Sequence, residues 1–122
     1  MRKQSGFTLI ELVAVIVILA ILAVVAVPQY VNLRTDAQNA ATAGVAGALA
    51  SGTALNYAVR SVNSASGQAV LNCTAACSTL AGGLCPSGYS VASLAITSGN
   101  VGNCTVSGPN SSSAPFNAIG IN

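Results

Sequence analysis

Sixteen consecutive residues, Leu12 to Val27, are all Ala, Val, Ile or Leu. Carried back to Phe7, the run reaches twenty-one residues interrupted only by Thr8 and Glu11. At ~1.5 Å of helical rise per residue that is about 30 Å, the hydrocarbon thickness of a bilayer. One membrane crossing is the environment such a segment demands. Arg2 and Lys3 precede it, and the next cation is Arg34. The excess of positive charge on the N-terminal side places that end in the cytoplasm and exports the remainder. A cleaved secretory signal fits less well, because such apolar cores run about 7–15 residues and end at a small-x-small site. Here the run is longer, and Pro28 is followed by Gln29 and Tyr30.

Glu11 is the feature a plain membrane anchor does not explain. An ionisable side chain inside a spanning helix costs roughly 2.5–3.5 kcal/mol near the bilayer centre and less toward the edge, so it calls for a partner. The expected partner is a cation. Charge is scarce everywhere else: four Lys and Arg against two Asp and Glu, net +2, with 5% charged and 52% hydrophobic residues. Beyond Gln4 only Arg34 and Arg60 face Glu11 and Asp36. Two scattered arginines cannot release the counterions that nucleic-acid binding depends on. A chain with no His and two carboxylates is also poorly supplied with general acids and bases. The expectation is a non-enzyme with no direct nucleic-acid site, no cofactor and no metal.

The string Lys3-Gln4-Ser5-Gly6-Phe7-Thr8-Leu9-Ile10-Glu11, followed by the aliphatic run and Pro28, resembles the N-terminal signature of type IV pilins of the type IVa prepilin kind. The stretch from Pro28 through Leu33, Asp36 and Ala37 is similar to the mannose-sensitive haemagglutinin branch. The resemblance covers about Met1 to Gln38 and implies a prepilin leader over residues 1–6, cut by a prepilin peptidase between Gly6 and Phe7. It implies N-methylation of the new Phe7 amine. That amine is then the cation for Glu11, which sits at i+4 from Phe7 on a helix and pairs across neighbouring subunits. Glu11 and Phe7 would so set assembly register. Pro28 removes a backbone donor and is expected to kink or loosen the helix. Many family members carry a glycine eight residues before this proline, where this chain has Ala20.

From Gln29 to about Arg60 the chain is Ala-rich without proline, and Val45, Leu49, Gly52, Leu55, Val59 and Val62 recur at helical intervals. That stripe is expected to face inward, with Thr35, Asn39, Thr42 and Thr53 on the opposite side. Ala40, Ala41, Gly44, Ala48 and Ala50 are small enough for close helix-to-helix approach. Residues 61–67 read as the loop leaving the helix. Period-two segments bounded by Gly, Pro, Ser and Asn then predict strands at Gln68–Asn72, Tyr89–Thr97, Val101–Ser107 and Phe116–Ile121. The expected fold is α+β: a long N-terminal hydrophobic helix, kinked near Pro28 and packed on a small antiparallel sheet, as in type IV pilins. The divisions are a leader at 1–6, a helix at 7–61 with its membrane or filament-core segment at 7–27, and a disulfide-bonded β part at 62–122.

Cys73, Cys77, Cys85 and Cys104 lie wholly in the exported part, which is small enough to need covalent staples. Two bridges are expected. Four cysteines allow three connectivities, of which Cys85–Cys104 with a local Cys73–Cys77 is favoured. A zinc site is the alternative, but the spacings lack paired C-x2-C knuckles and there is no His.

The reading is a structural subunit, a major pilin. It polymerises with identical subunits through its N-terminal helix into an extracellular filament for adhesion, motility or related surface functions. The inner membrane, the peptidase and the assembly machinery are its partners on the way. The alternatives are a minor pilin, a type II secretion pseudopilin, or a single-pass membrane-anchored binding domain that keeps its leader. Pseudopilins usually build a calcium site from C-terminal acidic residues, and no Asp or Glu follows Asp36.

Overall fold

The structure is a computed structural model, and it describes residues 6–122. The leader cations Arg2 and Lys3, and residues 1–5 of the expected leader, lie outside the described residues. The chain divides into two compact units between Thr35 and Asp36.

Helix α1 spans Leu9–Val62 and continues through Pro28. Within the first unit every described side chain is exposed, from Gly6 to Thr35. The second unit holds the C-terminal part of α1, a 3-10 helix at Cys73–Thr79, and strands β1 (Ser90–Val91), β2 (Val101–Ser107) and β3 (Ser113–Ile119). A short 3-10 turn at Pro109–Ser111 links β2 to β3. The sheet is antiparallel in the order β1-β2-β3. The fold is thus α+β, a long apolar helix whose C-terminal part packs on a small three-stranded sheet.

Period two holds where the sheet forms. In β2, Cys104 and Val106 point inward. In β3, Ala114, Phe116 and Ala118 do, with Cys104 opposite Phe116 and Val106 opposite Ala114. These residues, with Leu49, Val70, Cys73, Ala76, Val91 and Ile96, form the core. Gly102 sits opposite Ala118, and a Cβ there would lie 2.6 Å from Ile96 Cγ1, so the small residue admits Ile96 against the sheet.

Three expected strands differ from those observed. Gln68–Asn72 makes only the isolated bridges Val70 to Ile121 and Asn72 to Ala95. The Asn72 side chain turns the chain by accepting the Ala75 amide at 2.8 Å, capping the 3-10 helix instead of extending a strand. Tyr89–Thr97 keeps a strand only at Ser90–Val91. β3 begins at Ser113, ahead of the expected Phe116, and includes Pro115. An edge strand tolerates a residue without an amide donor.

The inward face of α1 follows the expected stripe only over its first half, where Leu49 is buried and Val45 and Gly52 are half-buried. Thr42, Ala46, Leu49, Thr53 and Asn56 are buried, whereas Leu55, Val59 and Val62 are 70%, 50% and 90% exposed. The buried polar groups are satisfied, which removes the desolvation cost that would otherwise turn them outward. The Thr42 and Ser112 hydroxyls lie 2.7 Å apart. Asn56 Nδ2 donates to the Gln68 carbonyl at 2.8 Å, while its Oδ1 accepts the Gln68 amide at 2.7 Å. Thr53 Oγ1 donates to the Ala50 carbonyl and accepts the Ile119 amide. Gly52 is a point of close approach: a Cβ there would meet Thr79 Oγ1 at 2.6 Å.

The bridges are Cys73–Cys104 and Cys77–Cys85, with Cα separations of 5.6 and 4.7 Å. The expected pairing of Cys85 with Cys104 and Cys73 with Cys77 is therefore wrong. Cys73 and Cys77 share one 3-10 helix. At ~2 Å rise per residue, four residues apart means about 8 Å, beyond the ~7 Å a disulfide spans. With three residues per turn the two also point about 120° apart. Cys73 meets β2 and Cys77 meets the following loop.

Candidate processing and assembly segment

The first turn of α1 is fixed by four residues. Thr8 directly precedes the helix, so Thr8 is its N-cap, and Leu9, Ile10 and Glu11 are its first three helical positions. The Thr8 amide donates to Glu11 Oε2 at 2.8 Å, and the Thr8 hydroxyl donates to the same oxygen at 2.8 Å. The Glu11 amide points back to Thr8 Oγ1 at 3.4 Å. This reciprocal pair is a capping box, in which the N-cap and the third residue satisfy each other's orphaned donors. Glu11 in the first turn also complements the positive end of the helix dipole.

Glu11 thus has a partner that composition reasoning did not assign to it. A cation was expected, and the partner in the structure is Thr8. The signal was present in the sequence as Thr8-x-x-Glu11 ahead of an apolar run. The cap also starts the helix at Leu9 and leaves Gly6 and Phe7 in non-helical, exposed chain, with Phe7 89% exposed. Phe7 and Glu11 are accordingly not an i, i+4 pair on this helix.

Downstream of the cap, Leu12 to Val27 and the residues around Pro28 are all exposed. α1 is the one described helix with a stretch long and apolar enough to cross a membrane. From Leu9 to Val27 it rises ~28 Å, a bilayer's hydrocarbon thickness. In the second unit, Ala40, Ala41, Gly44 and Ala48 are exposed and Ala50 is half-buried, so most of the small-residue surface is open. The four cysteines lie in that unit and leave no free thiol. Among the described residues no group of three or more His, Cys, Asp or Glu is placed to hold a metal ion.

Residues 1–27 match the family described as the prokaryotic N-terminal methylation motif. No curated protein matches the chain, and no solved structure does. The matched span contains Gly6, Phe7, Thr8 and Glu11 and ends one residue before Pro28. Such a motif implies processing by a prepilin peptidase, and with the apolar helix it fits anchoring in the inner membrane before assembly. The chain carries the leader signature of type IV prepilins at residues 1–27, on a pilin-like α+β fold.

Proposed function

We propose that the chain is the major structural subunit of a type IV pilus. The observation that carries this reading is the combination of an N-terminal methylation motif with a helix whose apolar residues find no cover in their own unit. A soluble monomer rarely shows an apolar patch beyond a few hundred Å². The inner membrane covers such a segment before assembly, and identical helices cover it in a filament outside the cell.

Cleavage between Gly6 and Phe7 removes Arg2 and Lys3 and creates an amine at Phe7, which is then N-methylated. That amine offers Glu11 the cation it lacks. A pair formed between subunits contributes register more than net strength, because a buried ion pair adds little stability while loss of one partner costs several kcal/mol. Pro28 removes one amide donor from the helix and supplies a place where it can kink or loosen as subunits pack. The open surface of Ala40, Ala41, Gly44 and Ala48, continued by Leu55, Val59 and Val62, supports further contact between helices. The disulfide-bonded unit would form the filament exterior.

The test is the intact mass, with and without reduction, of protein sheared from whole cells. The expected species begins at methylated Phe7 and gains four hydrogens on reduction. A species that begins at Met1, stays in the membrane and is absent from the sheared fraction would instead establish a single-pass anchored binding domain.

A further inference from the structure

We propose that Thr8 is a positioning residue for precursor processing: by capping α1 it halts the helix two residues after the Gly6–Phe7 bond and holds that bond in open chain. The inference rests on the reading above that this is the bond cut. In the cleavage step, water adds across the Gly6–Phe7 amide, the carbon–nitrogen bond breaks, and the products are a Gly6 carboxylate and a Phe7 amine. A peptidase reaches such an amide in irregular chain, where the peptide groups are free of helical hydrogen bonds and exposed.

Two features place Thr8 in control of that geometry. Its amide and hydroxyl both bind Glu11 Oε2 at 2.8 Å, and its Oγ1 faces the Glu11 amide at 3.4 Å, so the start of α1 is held from both ends of the first turn. Gly6 and Phe7, immediately before it, are non-helical and exposed, within the span that matches the methylation motif. The sequence also contains a competing start. Ser5 is the next residue upstream of a type that caps helices well. A helix begun there would wind Gly6 and Phe7 into its first turn and withdraw the bond. Thr8 selects the later start.

The experiment follows cleavage of the full-length precursor in membranes by its peptidase, with intact mass as the readout of both rate and position. Thr8→Val keeps the shape and removes the hydroxyl. It is expected to slow cleavage roughly fivefold, the equilibrium factor of a typical N-cap. Thr8→Ser and Thr8→Asn both retain capping and are expected to keep the wild-type rate. Wild-type cleavage of Thr8→Val overturns the proposal. So does slow cleavage of Thr8→Asn alongside normal Thr8→Ser, because the peptidase would then be reading a hydroxyl directly. A wild-type chain that keeps its Met1 overturns the reading beneath it as well, which separates the two failures.

Discussion

The two halves of α1 invert the usual relation between apolarity and burial. From Leu9 to Thr35 the helix is dominated by Ala, Val, Ile and Leu, yet every side chain along it is exposed. From Asp36 to Val62 it is rich in Thr, Asn, Gly and Ser, yet it supplies Thr42, Ala46, Leu49, Thr53 and Asn56 to a packed interior. Burial within a chain requires a complementary surface, and the sheet with the 3-10 helix offers one to the second half. The first half carries a large hydrophobic driving force while its side chains stand exposed. The second half packs through small polar groups, Thr42, Thr53 and Asn56, that each find a hydrogen-bond partner.

Four predictions break or sharpen that contrast. The largest effect is expected at Glu11. Glu11→Ala leaves the second unit folded and the protein in the membrane, while filament recovered by shearing falls below detection; normal filament yield would remove Glu11 from assembly. Next come the bridges. Loss of Cys73–Cys104, as the double Ser variant, is expected to cost the second unit about 4 kcal/mol against about 2.5 kcal/mol for Cys77–Cys85 by loop-closure entropy, the closed segments being separated by 31 and 8 residues. Denaturant unfolding of the two variants gives the order, and equal losses would mean that native strain rather than loop length governs them.

A matched pair of leucines tests the contrast directly. Leu49 is 0% exposed and Leu22 is 59% exposed. Leu49→Ala is expected to destabilise the second unit by about 3 kcal/mol, and Leu22→Ala to leave its unfolding midpoint unchanged. A shift from Leu22→Ala would show that the two halves are thermodynamically coupled. The smallest effects separate polar from apolar positions on one helical face and its neighbour. Asn56→Ala strands the Gln68 amide and carbonyl and is expected to cost about 2 kcal/mol. Val59→Ala, at an exposed site, is expected to cost no more than about 0.5 kcal/mol. Thermal unfolding of both would reverse the usual ranking of Asn and Val in a helix, and a larger loss at Val59 would restore the apolar stripe as the inward face.

Legibility in the sequence follows how local the cause is. The long apolar stretch of α1 from Leu9 to Val27 is readable from composition, because length and purity need no partner to be recognised. Strand β2 is readable from its alternation, and its expected bounds, Val101–Ser107, are those observed. The polar members of the inward face of α1 are not legible locally, because they are satisfied from far along the chain: Ser112 meets Thr42 across 70 residues, and Ile119 meets Thr53 across 66. The disulfide pairing was misread because nothing in the spacing announces that Cys73 and Cys77 share one short helix. The Thr8–Glu11 cap is the opposite case, a local signal in plain view that the conspicuous charge of Glu11 obscured.

By itself, then, the order of residues determined what is set by runs and spacings of a few residues. These are the apolar segment, the charge asymmetry around it, the motif around Gly6, Phe7 and Glu11, and the capping pair that opens the helix. Only the tertiary structure decided which polar residues of α1 turn inward, where β1 and β3 begin and end, and which cysteines meet. Each of those depends on groups brought together across tens of residues, where burial of a polar atom is permitted or forbidden by a partner that no local pattern names.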